Sequence, residues 1–142
     1  MAAMLVLLVV PLLATACGGK AGEEAASEPA VVEPVKGTDV MRVTLSAEAA
    51  KRLGLRTAEV RSDGPGTNRT VIPYEAVLYD PDGRTWTYTS PQPRVFQRED
   101  ISVAEIDGDR AILTRGPPVG TAVVIAGATE IWGVEYGGIQ ED

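Results

Sequence analysis

Turn residues cut the chain between Thr70 and Gly127 into short pieces. The breaks are Asp80-Pro81-Asp82-Gly83, Pro91-Gln92-Pro93, Asp107-Gly108 and Gly116-Pro117-Pro118-Val119-Gly120. The pieces between them are apolar or alternate in polarity, and runs of this kind bounded by Gly, Pro and Asp are read as strands. Residues 70–79, TVIPYEAVLY, are apolar on both phases, as a strand covered on both sides would be. Pro73 reduces part of that run to an edge or a bulge. Residues 80–83 match the type I turn preference, with Pro at the second position and Gly at the fourth. Residues 85–89, TWTYT, alternate, which puts Trp86 and Tyr88 on one face, expected to be buried, and the threonines on the other. Two short strands are expected around the charged run Arg98-Glu99-Asp100. Asp107-Gly108 followed by residues 109–114 is a strong hairpin signal. Residues 121–127 form a compact apolar strand, and residues 128–133 add a last short helix or strand.

Upstream, residues 41–45 alternate as a strand, and Ser46 can cap a short helix over residues 47–53. Glu48 suits its first turn, Lys51 and Arg52 its last, and Gly54 is a natural left-handed stop. A strand over 55–60 and a loop over 62–68 follow. The expected product is one small, mainly β domain over residues 40–133 with one short helix, arranged as a small barrel or a sandwich so that strand edges are protected. The candidate core is Leu55, Ile72, Val77, Trp86, Tyr88, Phe96, Ile101, Val103, Ile112, Val123, Val124, Ile125 and Ile131. Residues 134–142 are expected to form a loose tail.

The first forty residues are of another kind. Residues 2–16 are uncharged and almost wholly apolar, too short for a comfortable membrane span of about 20 residues. They fit the apolar region of a signal peptide over 1–16, and Ala14-Thr15-Ala16 supplies small residues for processing. The single cysteine, Cys17, follows at once. A small-residue triplet followed by Cys looks like a bacterial lipobox, which implies lipidation of Cys17 and a new N-terminus there. The competing reading is a secreted protein with a chance cysteine, but that thiol would be free in an oxidising compartment. Gly18 stands where Asp would signal retention in the inner membrane, so in a bacterium with two membranes the outer one is indicated. The expected location is extracytoplasmic, held at a membrane through the lipid. Residues 17–39 are rich in Gly, Ala, Pro, Ser and Glu and read as the lipidated cysteine and a flexible tether or spacer.

Composition excludes most chemistry. Histidine is absent, which removes most zinc sites, histidine general bases and Ser-His-Asp triads. Lipidation would leave no cysteine for a disulfide, and past residue 17 only Met41 remains of the methionines, so a Met-rich copper site is excluded. The formal net charge of −7 argues against binding a nucleic-acid backbone or anionic headgroups. Asp80 and Asp82 open a stretch with partial calcium-loop spacing, but Arg84 and Trp86 occupy later ligand positions. Gly64-Pro65-Gly66 lacks the context of a phosphate cradle. Ser46 has no base, and adjacent residues of 98–100 point to opposite strand faces. No catalytic residue, metal ligand or cofactor is expected.

Four stretches in order, residues 43–60, 71–89, 94–109 and 111–131, resemble periplasmic adaptor (membrane fusion) proteins of resistance-nodulation-division efflux systems. The resemblance rests on Leu45 to Thr57 with Gly54 inside, on Ile72, Pro73, Ala76, Val77, Asp80 and Gly83, and on Gly116, Gly120, Val123, Val124 and Gly127. Pro117 departs from the Leu usual after the first of those glycines. The likeness covers only the membrane-proximal domain of such adaptors. The lipoyl-like, hairpin and barrel portions that would interrupt it are replaced by the loop 62–69, and a loop of very different length can close the same strands at modest entropic cost. The resemblance implies an accessory or adaptor-like subunit that docks on an efflux pump or a full-length adaptor, with homo-oligomers open. The suggested docking edge is Pro81, Asp82, Gly83 and Arg84 together with Asp107 and Gly108. Two alternatives stay open. One is a stand-alone small-molecule-binding lipoprotein with a pocket at Trp86, Tyr88 or Trp132; the other is a structural envelope lipoprotein.

Overall fold

The computed structural model describes residues 28–137. Cys17, the apolar segment before it, residues 18–27 and residues 138–142 lie outside the described residues. The strands are β1 (Ala30–Pro34), β2 (Met41–Leu45), β3 (Arg56–Glu59), β4 (Arg61–Ser62), β5 (Thr70–Pro73), β6 (Leu78–Tyr79), β7 (Thr85–Gln92), β8 (Val95–Asp100), β9 (Ser102–Asp107), β10 (Arg110–Arg115) and β11 (Ala122–Ala126). The helices are α1 (Ala47–Arg52) and α2 (Ala128–Gly137), with a 3-10 turn at Tyr74–Ala76.

A seven-stranded sheet runs β1-β2-β8-β7-β11-β3, with β6 added on β7, and a four-stranded sheet runs β4-β5-β10-β9. The result is a mainly β, sandwich-like domain. The expected barrel alternative is not met: β1 and β3 end one sheet and β4 and β9 the other, so neither closes on itself among the described residues. The chain passes twice from the large sheet to the small one, each time at a single buried residue, Val60 between β3 and β4 and Ile101 between β8 and β9, and returns through the 3-10 turn after β5 and the turn after β10. The break in residues 94–106 therefore falls at Ile101, and Arg98-Glu99-Asp100 lies inside β8.

Two apolar cores result. Val43, Leu45, Trp86, Tyr88, Phe96, Val124 and Ile131 pack on the face of the large sheet that carries the helices. Val60, Ile72, Val77, Ile101, Leu113 and Val123 form the second cluster. Val123 and Val124 are adjacent on β11, and strand alternation sends one side chain into each core. The large sheet is thus covered on both faces at its centre. This explains why Thr87 and Thr89, expected on an open face, are buried. Leu55, Val103 and Ile125 are half-buried rather than central, whereas Val43, Val60 and Leu113, outside the expected core, are almost fully enclosed.

Two boundaries differ from expectation. Residues 30–34 of the expected tether form β1, in register with β2 from Ala30↔Leu45 to Pro34↔Met41. The loop between them closes on Val35 and Val40, whose N–H···O bond is 2.9 Å, with Gly37 at φ 83. The ordered domain therefore begins before Val40. Proline and glutamate give this stretch the composition of a linker, but Val31 and Val32 suit a strand, and the pairing partner is supplied by residues 41–45. At the other end, α2 continues to Gly137, so residues 134–137 are helical rather than loose, and the domain has two helices rather than one. Ile131 and Glu135, one helical turn apart, both face inward.

α1 forms as its residues dictate. Ser46 Oγ accepts from the Ala49 N–H at 3.1 Å, Glu48 lies in the first turn, and Lys51 and Arg52 lie in the last. Gly127, after β11, has φ 83, and a Cβ there would sit 2.1 Å from Leu55 Cδ2. Glycine at this position both permits the turn into α2 and leaves room for the Leu55 side chain.

Candidate functional site

The expected docking turns are well-formed local structures. In the first, Asp80 Oδ1 accepts from the N–H groups of Asp82 at 3.0 Å and Arg84 at 2.8 Å, and Oδ2 accepts from Arg84 Nε at 2.7 Å. Partial burial alone would raise the Asp80 carboxyl. The hydrogen bonds and charge of Arg84 outweigh it and hold the group below its ordinary range. Asp80 thus builds the turn, while Pro81, Asp82, Gly83 and Arg84 stand exposed. In the second, Gly108 has φ 61, Arg110 pairs with Asp107, and the Asp109 carbonyl accepts from Tyr74 N–H at 2.8 Å.

These turns lie apart, at the two ends of β9, the outer strand of the four-stranded sheet. Ile101, immediately before β9, donates to the carbonyl of Thr85, immediately after the first turn. Asp107 ends the same strand. Six residues of strand therefore separate the two turns, about 20 Å at a rise of about 3.3 Å per residue.

The side chains that the fold brings together most closely are others. Tyr88 on β7 and Arg98 on β8 are cross-strand partners, and both reach Glu135 on α2. Tyr88 Oη donates to Glu135 Oε2 at 2.5 Å, and Arg98 Nε donates to Glu135 Oε1 at 2.8 Å. Glu135 is 1% exposed, and its two oxygens each accept one of these bonds. The Arg98 guanidinium lies 5.3 Å from the Trp86 ring centroid and 5.4 Å from that of Tyr136, within cation–π reach of both. Trp132 meets Trp86 edge-on at 4.9 Å. Trp86 and Tyr88 are core residues, and Trp132 packs against the same core. Of the three aromatics suggested for a ligand pocket, Tyr88 is fully enclosed, Trp132 is half-buried against the core, and Trp86 is buried but borders a cavity.

This cluster is a clamp. A buried carboxylate with a partner on each oxygen, a phenol that donates and a fixed guanidinium tie α2 to the sheet. Sequence reading missed it because Glu135 and Tyr136 fell in the expected tail. The available signal was the i,i+4 spacing of Ile131 with Glu135, the inward pair, and of Trp132 with Tyr136, which stands 45% exposed beside Arg98.

Burial first, and the Glu135 carboxylate second, push the Tyr88 phenol well above its ordinary value of 10.0. Above pH 10 the unfolded chain loses this proton while the folded chain retains it, so stability falls as pH rises. The slope from this one group approaches about 1.4 kcal/mol per pH unit. Denaturant titrations between pH 9 and pH 11 should show that decline in the parent and a shallower one in Tyr88→Phe. Equal slopes would remove Tyr88 as its source.

A cavity of about 320 Å³ beside the clamp is lined by Asp39, Arg84, Trp86, Arg98, Asp100 and Tyr136, with charges of both signs. Among the described residues, no group of three or more His, Cys, Asp or Glu side chains could hold a metal ion, and no helix is long and apolar enough to cross a membrane. Comparisons with family models, curated proteins and solved structures give no match to this chain.

Proposed function

We propose that this protein is a lipid-anchored extracytoplasmic accessory subunit of an efflux assembly, acting by protein–protein docking. The lipid on Cys17 holds it at a bacterial membrane, and the β domain meets the pump or a full-length adaptor. The observation that carries this reading is the closure at residues 62–70. The resemblance implies that a long insert is missing there, and β4 and β5 pair directly across the gap, with Ser62 opposite Thr70. Arg69 and Asp63 form an ion pair at 2.6 Å inside the loop, and the Asp63 N–H donates to the Arg69 carbonyl at 3.1 Å. An adaptor domain stripped of its insert needs such a closure to fold alone. The clamp supports the same reading, since a cluster whose carboxylate oxygens are both engaged holds structure instead of turning over substrate.

Purification from native membranes tests it. A C-terminally tagged precursor would be crosslinked mildly in its own cells, and the recovered proteins identified by mass spectrometry. Recovery of a resistance-nodulation-division pump or a full-length adaptor is expected. Clean recovery of the lipoprotein without either would overturn the transport role.

A further inference from the structure

The largest cavity described is an open groove of about 610 Å³ on the helix-bearing side of the large sheet. Half-buried Leu55 and Ala122 contribute its apolar surface above the buried Phe96, with Ala50 of α1 along one side and the proline-bounded turn at 90–94 along another. Its charged lining consists of two cations, Lys51 from the last turn of α1 and Arg94 from the turn; no carboxylate lines it. That segregation is unusual within this acidic molecule. The three other cavities described each mix carboxylates with guanidinium groups. Among the described residues Lys51 and Arg94 enter no ion pair, as is also true of Lys36, Arg42, Arg56, Arg61 and Arg115; what sets these two apart is that they share one groove without a carboxylate.

The backbone holds the groove in shape. Arg94 has φ 66, the one non-glycine residue with positive φ among the described residues. That conformation strains a residue that carries a side chain, so glycine would be the easier occupant. The flanking prolines Pro91 and Pro93 restrict the turn, and the Arg94 carbonyl is tied to the Leu45 N–H at 2.9 Å. Leu55 occupies the space that Gly127 leaves open. A rigid rim lowers the ordering cost of binding.

We infer that this groove is the docking face: it takes a segment of a partner protein that presents an apolar side chain flanked by carboxylates. The inference rests on the docking role proposed above and moves its contact from the two exposed turns to the groove. The apolar side chain covers Leu55 and Ala122, and the carboxylates meet Lys51 and Arg94. Cations at a rim contribute mainly to partner choice and encounter rate, so the preference is for charge sign and weakens as salt is added.

The probes are two capped hexapeptides, Gly-Glu-Leu-Phe-Glu-Gly and Gly-Lys-Leu-Phe-Lys-Gly, titrated into the nitrogen-15-labelled full chain at low ionic strength. The acidic peptide should shift the amide signals of Leu55, Thr57, Phe96 and Ala122 and bind about tenfold more tightly than the basic one, since the two rim cations attract one peptide and repel the other. Lys51→Glu with Arg94→Glu should reverse the preference. Lys51→Glu alone, on an exposed helix position, should abolish most of it should the double variant fail to fold. Equal binding of both peptides, shifts outside the groove, or concentration-dependent self-association through the groove without peptide would each overturn the inference. The two proposals fail separately. Peptide selectivity without a pump or adaptor in the membrane purification would leave the groove standing and remove the transport role. Recovery of a pump with no peptide selectivity would do the reverse.

Discussion

Glu135→Ala should lower the unfolding free energy by about 3 kcal/mol, at the lower end of the cost of breaking a buried charge pair. The carboxylate is 1% exposed, and removing it strands two donors at once. Arg98 is 25% exposed and recovers part of its hydration, which keeps the loss from being larger. Tyr88 is fully enclosed and has no alternative acceptor among the described hydrogen bonds. Glu135→Gln keeps the shape but offers one acceptor oxygen in place of two, so its cost should be about half as large. Replacing Arg98 and Glu135 together, as Arg98→Met with Glu135→Leu, should cost less than Glu135→Ala alone, because no buried charge is then left unpaired. Urea unfolding followed by Trp fluorescence reads all of these, since Trp86 and Trp132 border the cluster. A Glu135→Ala variant within about 0.5 kcal/mol of the parent, the ordinary range for surface changes, would show that the clamp contributes nothing.

The order of strands and turns after Thr70 was legible because it is written locally. Asp80 to Gly83 and Asp107-Gly108 set their own turns through φ, short side-chain hydrogen bonds and missing Cβ atoms. The cap at Ser46 was legible for the same reason. What stayed hidden depends on partners distant in sequence. Residues 30–34 have a linker's composition and become a strand because residues 41–45 pair with them. Thr87 reads as a solvent-facing threonine and is buried because a second sheet covers that face, a property of topology and not of the TWTYT pattern. Glu135 reads as a solvated tail residue and becomes the centre of the clamp because Tyr88 and Arg98, 47 and 37 residues away, converge on it. The groove was hidden for a related reason. Lys51 was explained fully by the helix end it occupies, Arg94 stood at the start of the strand region expected over 94–106, and only the fold places both on one apolar surface.

Leu113→Ala tests whether the two cores behave as one domain. Leu113 is fully buried in the second cluster, and a Cβ on Gly116 would approach its Cδ1 to 2.8 Å, so the site is tightly filled and cannot collapse cheaply. Truncation there should cost about 3 kcal/mol, within the range of about 2–5 for buried Leu→Ala changes. The more informative result is where the loss appears. Trp86 and Tyr88 belong to the other core, yet β11 carries Val123 into one cluster and Val124 into the other, and it pairs with both β7 and β3. A packing loss on one side must therefore be felt on the other through a single strand that neither core can release alone. In native-state hydrogen exchange, globally protected amides in β7 and β8 should accelerate by about two powers of ten, together with those in β5 and β10. Acceleration confined to β5, β9 and β10, with β7 and β8 unchanged, would mean that the four-stranded sheet opens on its own. The large sheet with its clamped helix would then be the cooperative unit, and the groove beside α1 would survive the loss of the other layer.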